Sequence, residues 1–363
     1  MIALRSVQDA EVRDKRVLVR VDFNVPMQDG RIVDDARIKA TLPTITLLLE
    51  KGAQKIILLT HLGRPEGKEN EKDRVAPLFE RLATYIDDVT RIEMHENLRF
   101  DPREEAGDET FAQELAALGE VYVNDAFSNS HRAHASMVAL AKLLPSYAGL
   151  QLVREVAHIS EALTPPKNSI AIVGGAKFET KEPLLVKLLQ KYSTVLLGGA
   201  LANDMLKVRG TPVGHSLLSE KPVPTGIAED DRIVIPIDVM VECGENQRRA
   251  AHTADVRSDE SIMDIGPDTA AAWAHMIQES EFVLWNGPTG VFEKGFVEGT
   301  QKLASAIVAG KCKAVLGGGD TAAALAAFQF DAERIFVSTG GGAMLEFLTN
   351  DGTLPALEVL QQK

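Results

Sequence analysis

Cysteine is nearly absent from the sequence, with only Cys243 and Cys312 in 363 residues. Two such residues give neither a disulfide framework nor a metal-ligand spacing, as expected of a reducing compartment. Aromatic residues are scarce at 5%, whereas glycines number 28. That balance suits strands alternating with helices through glycine turns better than a β-sandwich. Positive charge is outnumbered, 39 Lys and Arg against 52 Asp and Glu, for a net charge of -13. A nucleic acid or an anionic membrane is therefore not expected as the main partner. No apolar run is long enough to span a bilayer. The opening residues MIALRSVQDAEVRDKR carry charge where a secretory signal needs an apolar core, so a cytoplasmic protein is expected. Also missing are the Walker loop GxxxxGK[ST] and a protein-kinase glycine loop; a nucleotide enzyme here must be of another kind.

What is present is a series of short apolar segments with helical patterns between them. VLVRV (17–21), IILLT (56–60), VYVND (121–125), IAIVGG (170–175), TVLLGG (194–199), IVIPID (233–238), FVLWNG (282–287), AVLGGG (314–319) and IFVSTGGG (335–342) all read as strands. Near-continuous apolar strands alternating with helices indicate α/β architecture with parallel sheets covered on both faces. The length suits two domains. The strands of the second half end in glycines, a rim where a polyphosphate can lie. Those of the first half end in polar and basic residues. Between the halves, Leu150, Val153, Val156, Ala157 and Leu163 fit a helix that Pro165 and Pro166 stop. It reads either as a hinge or as an ordinary domain connection.

The stretch AVLGGGDTAAALAAF, 314–328, poses the chemical question directly. Three glycines ahead of a helix let backbone N–H groups approach a phosphate, and Asp320 with one carboxylate can hold Mg²⁺ against nucleotide phosphates. The other reading is a tight strand-to-helix turn in which Asp320 complements the helix dipole. Lys177 and Lys181 in GGAKFETK fall on one face if a helix begins there. The first half offers Arg20, Arg37, Arg64, Arg99 and Arg132 with His61, His131 and His134. Repeated arginines at strand ends suggest an anion site, since the guanidinium fork holds carboxylate and phosphate. His131 and His134 have a helical spacing that can bind a metal, but no third ligand is evident. Asp22 and Asn24 either bond a ligand hydroxyl or cap the turn before Pro26.

VRVDFNVP, DDARIKATLPTI, HLGRP, ENLRF, VNDAF with HRAHAS, GGAK with a following lysine, WNGPTGVFE, GGGDTAAA and STGGGAMLEFL stand in the order found in phosphoglycerate kinases, and the sequence resembles that family over nearly its whole length. The resemblance implies two Rossmann-like domains, each a parallel sheet flanked by helices, joined by a hinge helix. Residues 1–150 would bind the glycerate, with a C-terminal tail 346–363 packing back on them. Residues 151–345 would bind nucleotide. It implies phosphoryl transfer between 1,3-bisphosphoglycerate and Mg-ADP, giving 3-phosphoglycerate and ATP, by a monomer. Asp22, Phe23, Asn24, Arg37, His61, Leu62, Gly63, Arg64, Arg99 and Arg132 would hold the glycerate, with Arg37 nearest the moving phosphoryl. Lys177, Lys181, Asn286, Glu293, Gly318, Gly319, Asp320 and Thr321 would serve the nucleotide, Glu293 at the ribose and Asp320 at the metal. Catalytic roles would fall to Arg37, Lys181, Gly341 and Gly342; Gly340, Gly341 and Gly342 resemble the family's helix N-terminus that faces the group in flight.

The sequence departs from the family pattern in places. The segment before ENLRF is short and is expected to lack a strand and loop, with His95 where leucine is common, which weakens the backbone support of Arg99. Ser128 replaces a glycine and is expected to alter the setting of Arg132. Two other classes are considered. A dinucleotide oxidoreductase would use Gly317, Gly319 and Ala322 as a fingerprint, but the acidic residue needed about twenty positions on is not suitably placed. A non-catalytic binding relative would be expected to have lost Arg37, Lys181 or Asp320, and all three are present.

Overall fold

The structure is a computed structural model and describes residues 3–244, 247–325 and 328–362. The chain divides into two compact units, Met1–Ala157 with Asn350–Lys363, and His158–Thr349.

The first unit holds seven strands: β1 Arg16–Arg20, β2 Met27–Gln28, β3 Arg31–Ile32, β4 Lys55–Leu59, β5 Ile92–Met94, β6 Val121–Asn124 and β7 Ser146–Ala148. Five form a parallel sheet in the order β5-β4-β1-β6-β7, and β2 pairs with β3 in a small antiparallel hairpin. The β1 residues Val17, Leu18, Val19 and Arg20 are all buried, as a sheet covered on both faces demands. Val17 and Val19 join one apolar cluster and Leu18 another, which is the two-residue period of a strand feeding two helical layers. Near the chain's end, Leu360 and Ala3 carbonyls accept from Arg5 and Gln362 N–H groups at 3.0 Å, and Leu354, Leu357 and Leu360 are fully buried.

The strand expected to be missing before ENLRF is present as β5, in register with β4 through Ile56–Ile92 and Leu58–Met94. Three residues suffice because only Ile92 needs burial there. The support of Arg99 is also intact: Asn97 accepts from the Arg99 N–H at 3.1 Å and donates to the Leu62 and Asp73 carbonyls at 2.8 Å each.

The second unit contains β8 Ser169–Val173, β9 Thr194–Leu197, β10 Ile233–Val234, β11 Asp238–Glu242, β12 Arg248–His252, β13 Ser261–Ile265, β14 Phe282–Asn286, β15 Lys313–Gly317 and β16 Ile335–Ser338. Six make a parallel sheet ordered β10-β9-β8-β14-β15-β16, and β12-β11-β13 make a separate antiparallel sheet. IVIPID is therefore not one strand. Pro236 lacks an N–H to donate, the ladder stops at Val234, and Asp238 opens β11 in the other sheet. Glycine-ended segments are likewise shorter than read from sequence, because Gly175, Gly199, Gly287 and Gly318 have positive φ and leave the extended region.

A helix, Leu150–Glu161, runs across the division between the units. It ends before Leu163, and its first turn is held by Asp125, just past β6, and by Thr44 on the helix Ala36–Glu50. The Asp125 carboxylate accepts from Gln151 and Leu152 N–H at 2.9 and 3.1 Å, and Thr44 Oγ1 accepts from Leu150 N–H at 2.9 Å.

Candidate active-site residues

In both parallel sheets the strand order reverses beside the first strand, at β1/β6 and at β8/β14, which is where open α/β sheets bind ligands at their carboxyl ends. In the first unit, Asp22, Phe23 and Asn24 follow β1. Asp22 Oδ2 accepts from Arg37 Nη1 at 2.7 Å and from the Ser128 hydroxyl, while Oδ1 accepts from the Asn24 N–H at 3.3 Å. Arg37 Nη1 also reaches the Asn24 carbonyl at 3.2 Å. Phe23 N–H donates to Thr60 Oγ1 at 3.1 Å, and Asn24 Oδ1 accepts from Gly63 N–H at 2.9 Å, so the loops after β1 and β4 are tied together. Asp22 thus serves both a local turn and a charged partner. Ser128, the departure from the family, acts on Asp22; Arg132 Nε instead reaches His131 Nε2 at 3.3 Å.

His61 and Leu62 are buried beyond β4, and Arg64 is exposed on the same turn. Arg20 Nη2 lies 3.3 Å from His61 Nδ1. A guanidinium only donates, so Nδ1 accepts and the ring proton of neutral His61 resides on Nε2. Burial, then the charges of Arg20, Arg99 and Arg132, hold His61 well below its ordinary pKa; burial, then Arg99, Arg132 and Arg20, bring His134 down to about 3. Arg99 is itself buried, donating to the Gly63 carbonyl at 3.1 Å and pairing with Glu105 at 3.0 Å. Three arginines that suppress histidine protonation make a local cationic basin in an acidic protein. Residues 131–134 are not helical, and among the described residues no group of three His, Cys, Asp or Glu is placed to hold a metal.

Arg20 is the residue whose importance the sequence understated. It is 1% exposed, with Nε donating to Ser136 Oγ at 3.0 Å, and Ser136 Oγ in turn donates to buried Glu104 at 2.6 Å. Its one signal is a charged residue ending an otherwise apolar strand.

In the second unit the helix Phe178–Lys191 starts directly behind the β8 turn, with Lys177 as its N-cap residue and Lys181 in its first turn. Lys177 is exposed, whereas Lys181 is half-buried with Nζ 2.5 Å from Asn286 Oδ1, and burial lowers its pKa to about 8. Asn286, at the end of β14, donates from Nδ2 to the Gly317 carbonyl at 3.2 Å. Gly287 N–H donates to Thr321 Oγ1 at 3.0 Å, joining the β14 and β15 turns. A Cβ on Gly174 would lie 2.0 Å from the Pro288 carbonyl oxygen, so only glycine allows the β8 and β14 turns to meet. Likewise a Cβ on Gly341 would stand 2.8 Å from Gly318 Cα.

Gly340 precedes, and Gly341 and Gly342 open, the helix Gly341–Thr349, whose first N–H groups have no partner within the helix. Gly319, Asp320 and Thr321 begin the helix Gly319–Leu325; the Asp320 side chain lies outside the described residues. Beside the turns after β8, β9 and β14 is a cavity of about 470 Å³, lined by Gly175, Gly199, Asn203, Asp264, Val291 and Glu293 among others. It is large enough for a nucleoside, and a lysine and open helix N-termini suit the attached phosphates.

Asp264, which the sequence reading did not single out, forms part of the cavity wall. Burial raises its carboxyl to about 6, while it accepts from Thr289 Oγ1 at 2.9 Å, Ile265 N–H at 2.8 Å and Gly299 N–H at 3.0 Å. Only the burial of a carboxylate inside DIGP, invisible in a linear reading, marks it.

Residues 7–95 and 89–351 match the family described as phosphoglycerate kinase. The phosphoglycerate kinase of Thermomicrobium roseum is 42% identical, covering 99% of this chain and 100% of its own. That of Maricaulis maris is 43% identical over 98% of this chain and 97% of its own. A solved structure of phosphoglycerate kinase from Coxiella burnetii superposes with a TM-score of 0.86 at 36% identity, covering 98% of each chain. With family, full-length relatives and fold in agreement, the chain belongs to the phosphoglycerate kinase family and is a glycolytic phosphotransferase.

Proposed function

We propose that this chain moves a phosphoryl group directly between 1,3-bisphosphoglycerate and Mg-ADP, the glycerate bound on the first unit and the nucleotide on the second. The observation that carries the reading is the contrast between the two strand-end rims: an arginine basin around neutral His61 in one unit, and in the other a cavity walled by Gly175 and Gly199 with Lys181 packed behind Gly175. The basin suits a small acid bearing two anionic groups. The glycine rim suits a polyphosphate with a nucleoside attached.

Asp22, Asn24, His61, Arg64, Arg99 and Arg132 hold the glycerate, the His61 Nε2–H donating to an anionic oxygen. Phe23, Leu62 and Gly63 shape the loops behind them. On the nucleotide side, Glu293 meets the ribose, Lys177 and Asn286 approach the phosphates, and Gly318, Gly319 and Thr321 line the chain of phosphates. Asp320 would hold Mg²⁺ together with phosphate oxygens, a mode in which magnesium takes one or two protein carboxylates. Bound there, the ion neutralises phosphate charge. The attacking ADP oxygen is already ionised and the leaving group is a carboxylate, so no strong general base is needed. Arg37, Lys181 and the amides of Gly341 and Gly342 stabilise the equatorial oxygens in flight, which is the main task in phosphoryl transfer. The protein is proposed to act as a cytoplasmic monomer.

The test is consumption of ATP by the purified protein with 3-phosphoglycerate and Mg²⁺, coupled to reduction of the acyl phosphate. Arg37→Ala should fold normally and lose about 10²–10³-fold in kcat, the usual loss on removing one transition-state charge partner. A variant within threefold of the parent would remove Arg37 from the chemistry, and an inactive folded parent would remove the reading itself.

A further inference from the structure

The helix that carries Lys181 begins with an anomaly. Its N-cap residue is Lys177, and no side chain of that residue accepts from the first turn. Lysine cannot cap, because its ammonium only donates, while Ser, Thr, Asp and Asn are the residues that satisfy the first N–H groups. The acceptor comes instead from a loop distant in sequence. Ser219 Oγ accepts from the Phe178 N–H at 2.6 Å.

Ser219 is in turn gripped by a carboxylate. Its hydroxyl donates to Asp204 Oδ2 at 2.7 Å and its N–H to Asp204 Oδ1 at 2.9 Å. With the single hydroxyl proton engaged by Asp204, a lone pair of Oγ is left directed at Phe178. Asp204 is 7% exposed and lies on the helix Gly199–Val208, whose residues Gly199 and Asn203 line the cavity. Asn203 adds a second tie, donating from Nδ2 to the Leu217 carbonyl at 3.1 Å in the segment leading to Ser219. The lysine-bearing helix, the helix Gly199–Val208 and the loop over the cavity are therefore joined at one serine.

We propose that Ser219 and Asp204 are positioning residues for phosphoryl transfer: they satisfy from outside the first N–H of the helix, at Phe178, one of the donors left without a partner within the helix, and so fix Lys177 and Lys181 against the nucleotide phosphates. The inference rests on the nucleotide reading above and touches no ligand atom itself.

The experiment is calorimetric binding of ADP and of adenosine to the full chain, for the parent, Ser219→Ala, Ser219→Thr and Asp204→Ala. Ser219→Ala and Asp204→Ala should weaken ADP about fivefold, the factor expected for a lost cap, and leave adenosine unchanged. Ser219→Thr, which keeps the hydroxyl, should bind ADP within twofold of the parent. KM for ATP should rise with these losses while KM for 3-phosphoglycerate stays fixed. Equal weakening of adenosine and ADP would overturn the proposal, as would parent-like ADP binding in both alanine variants. If Ser219→Ala does not fold, Asp204→Ala and Ser219→Thr decide by the same readout. A parent that binds neither compound would instead sink the nucleotide reading.

Discussion

Lys181 is a cation kept short of water. Burial lowers its pKa to about 8, so part of the free protein carries a neutral amine at that pH. Phosphates placed beside Nζ favour the ammonium, and binding must then draw a proton from solution. Calorimetry of ADP binding at pH 8.5 in buffers of different ionisation enthalpy should therefore show net proton uptake, absent in Lys181→Met, and ADP affinity should fall as pH rises beyond about 8. His61 gives the opposite lesson: already neutral near pH 7, it should contribute no titration to the activity profile in that range. At this scale the sequence showed residue types and not partners. The arginines, Asp22 and the lysine pair are legible as chemistry in their motifs. The Ser128 bond to Asp22 is not, because it joins segments 106 positions apart.

Among the elements, the helix Leu150–Glu161 owes its first turn to Asp125. That carboxyl is fully buried, and desolvation pushes its pKa up to about 7, with Thr44 and the two helix N–H groups opposing. The sign follows from linkage. The folded state binds the proton more tightly than the unfolded chain, so stability declines as pH climbs from about 4 to 7 and is level above that. Asp125→Asn keeps an Oδ1 acceptor and removes the titration. Urea midpoints should favour the variant at pH 8 and converge with the parent towards pH 4; parallel midpoints at both values would refute the account. The helix itself is readable from its apolar spacing, and the parallel strands from their continuous burial. The sheet β12-β11-β13 escaped because Arg248–His252, RRAAH, lacks the apolar alternation that marks a strand, and its place is set by pairing with β11.

For the whole molecule, the proposed direct transfer requires two ligands held by separate units to meet, with the helix Leu150–Glu161 as the proposed hinge between them. Small-angle scattering should show a smaller radius of gyration with both ligands than with either alone, and an unchanged radius would exclude closure as the route. In the sequence, a division at residue 150 is an expectation drawn from the change in strand-end chemistry, arginine in one half and glycine in the other.

The return of Asn350–Lys363 to the first unit has a consequence for how the molecule is made. Every residue of the second unit leaves the ribosome before the segment that finishes the first, with Leu354, Leu357 and Leu360 still to come. The second unit can mature during translation; the first, begun earliest, waits with an open apolar face until its last segment arrives.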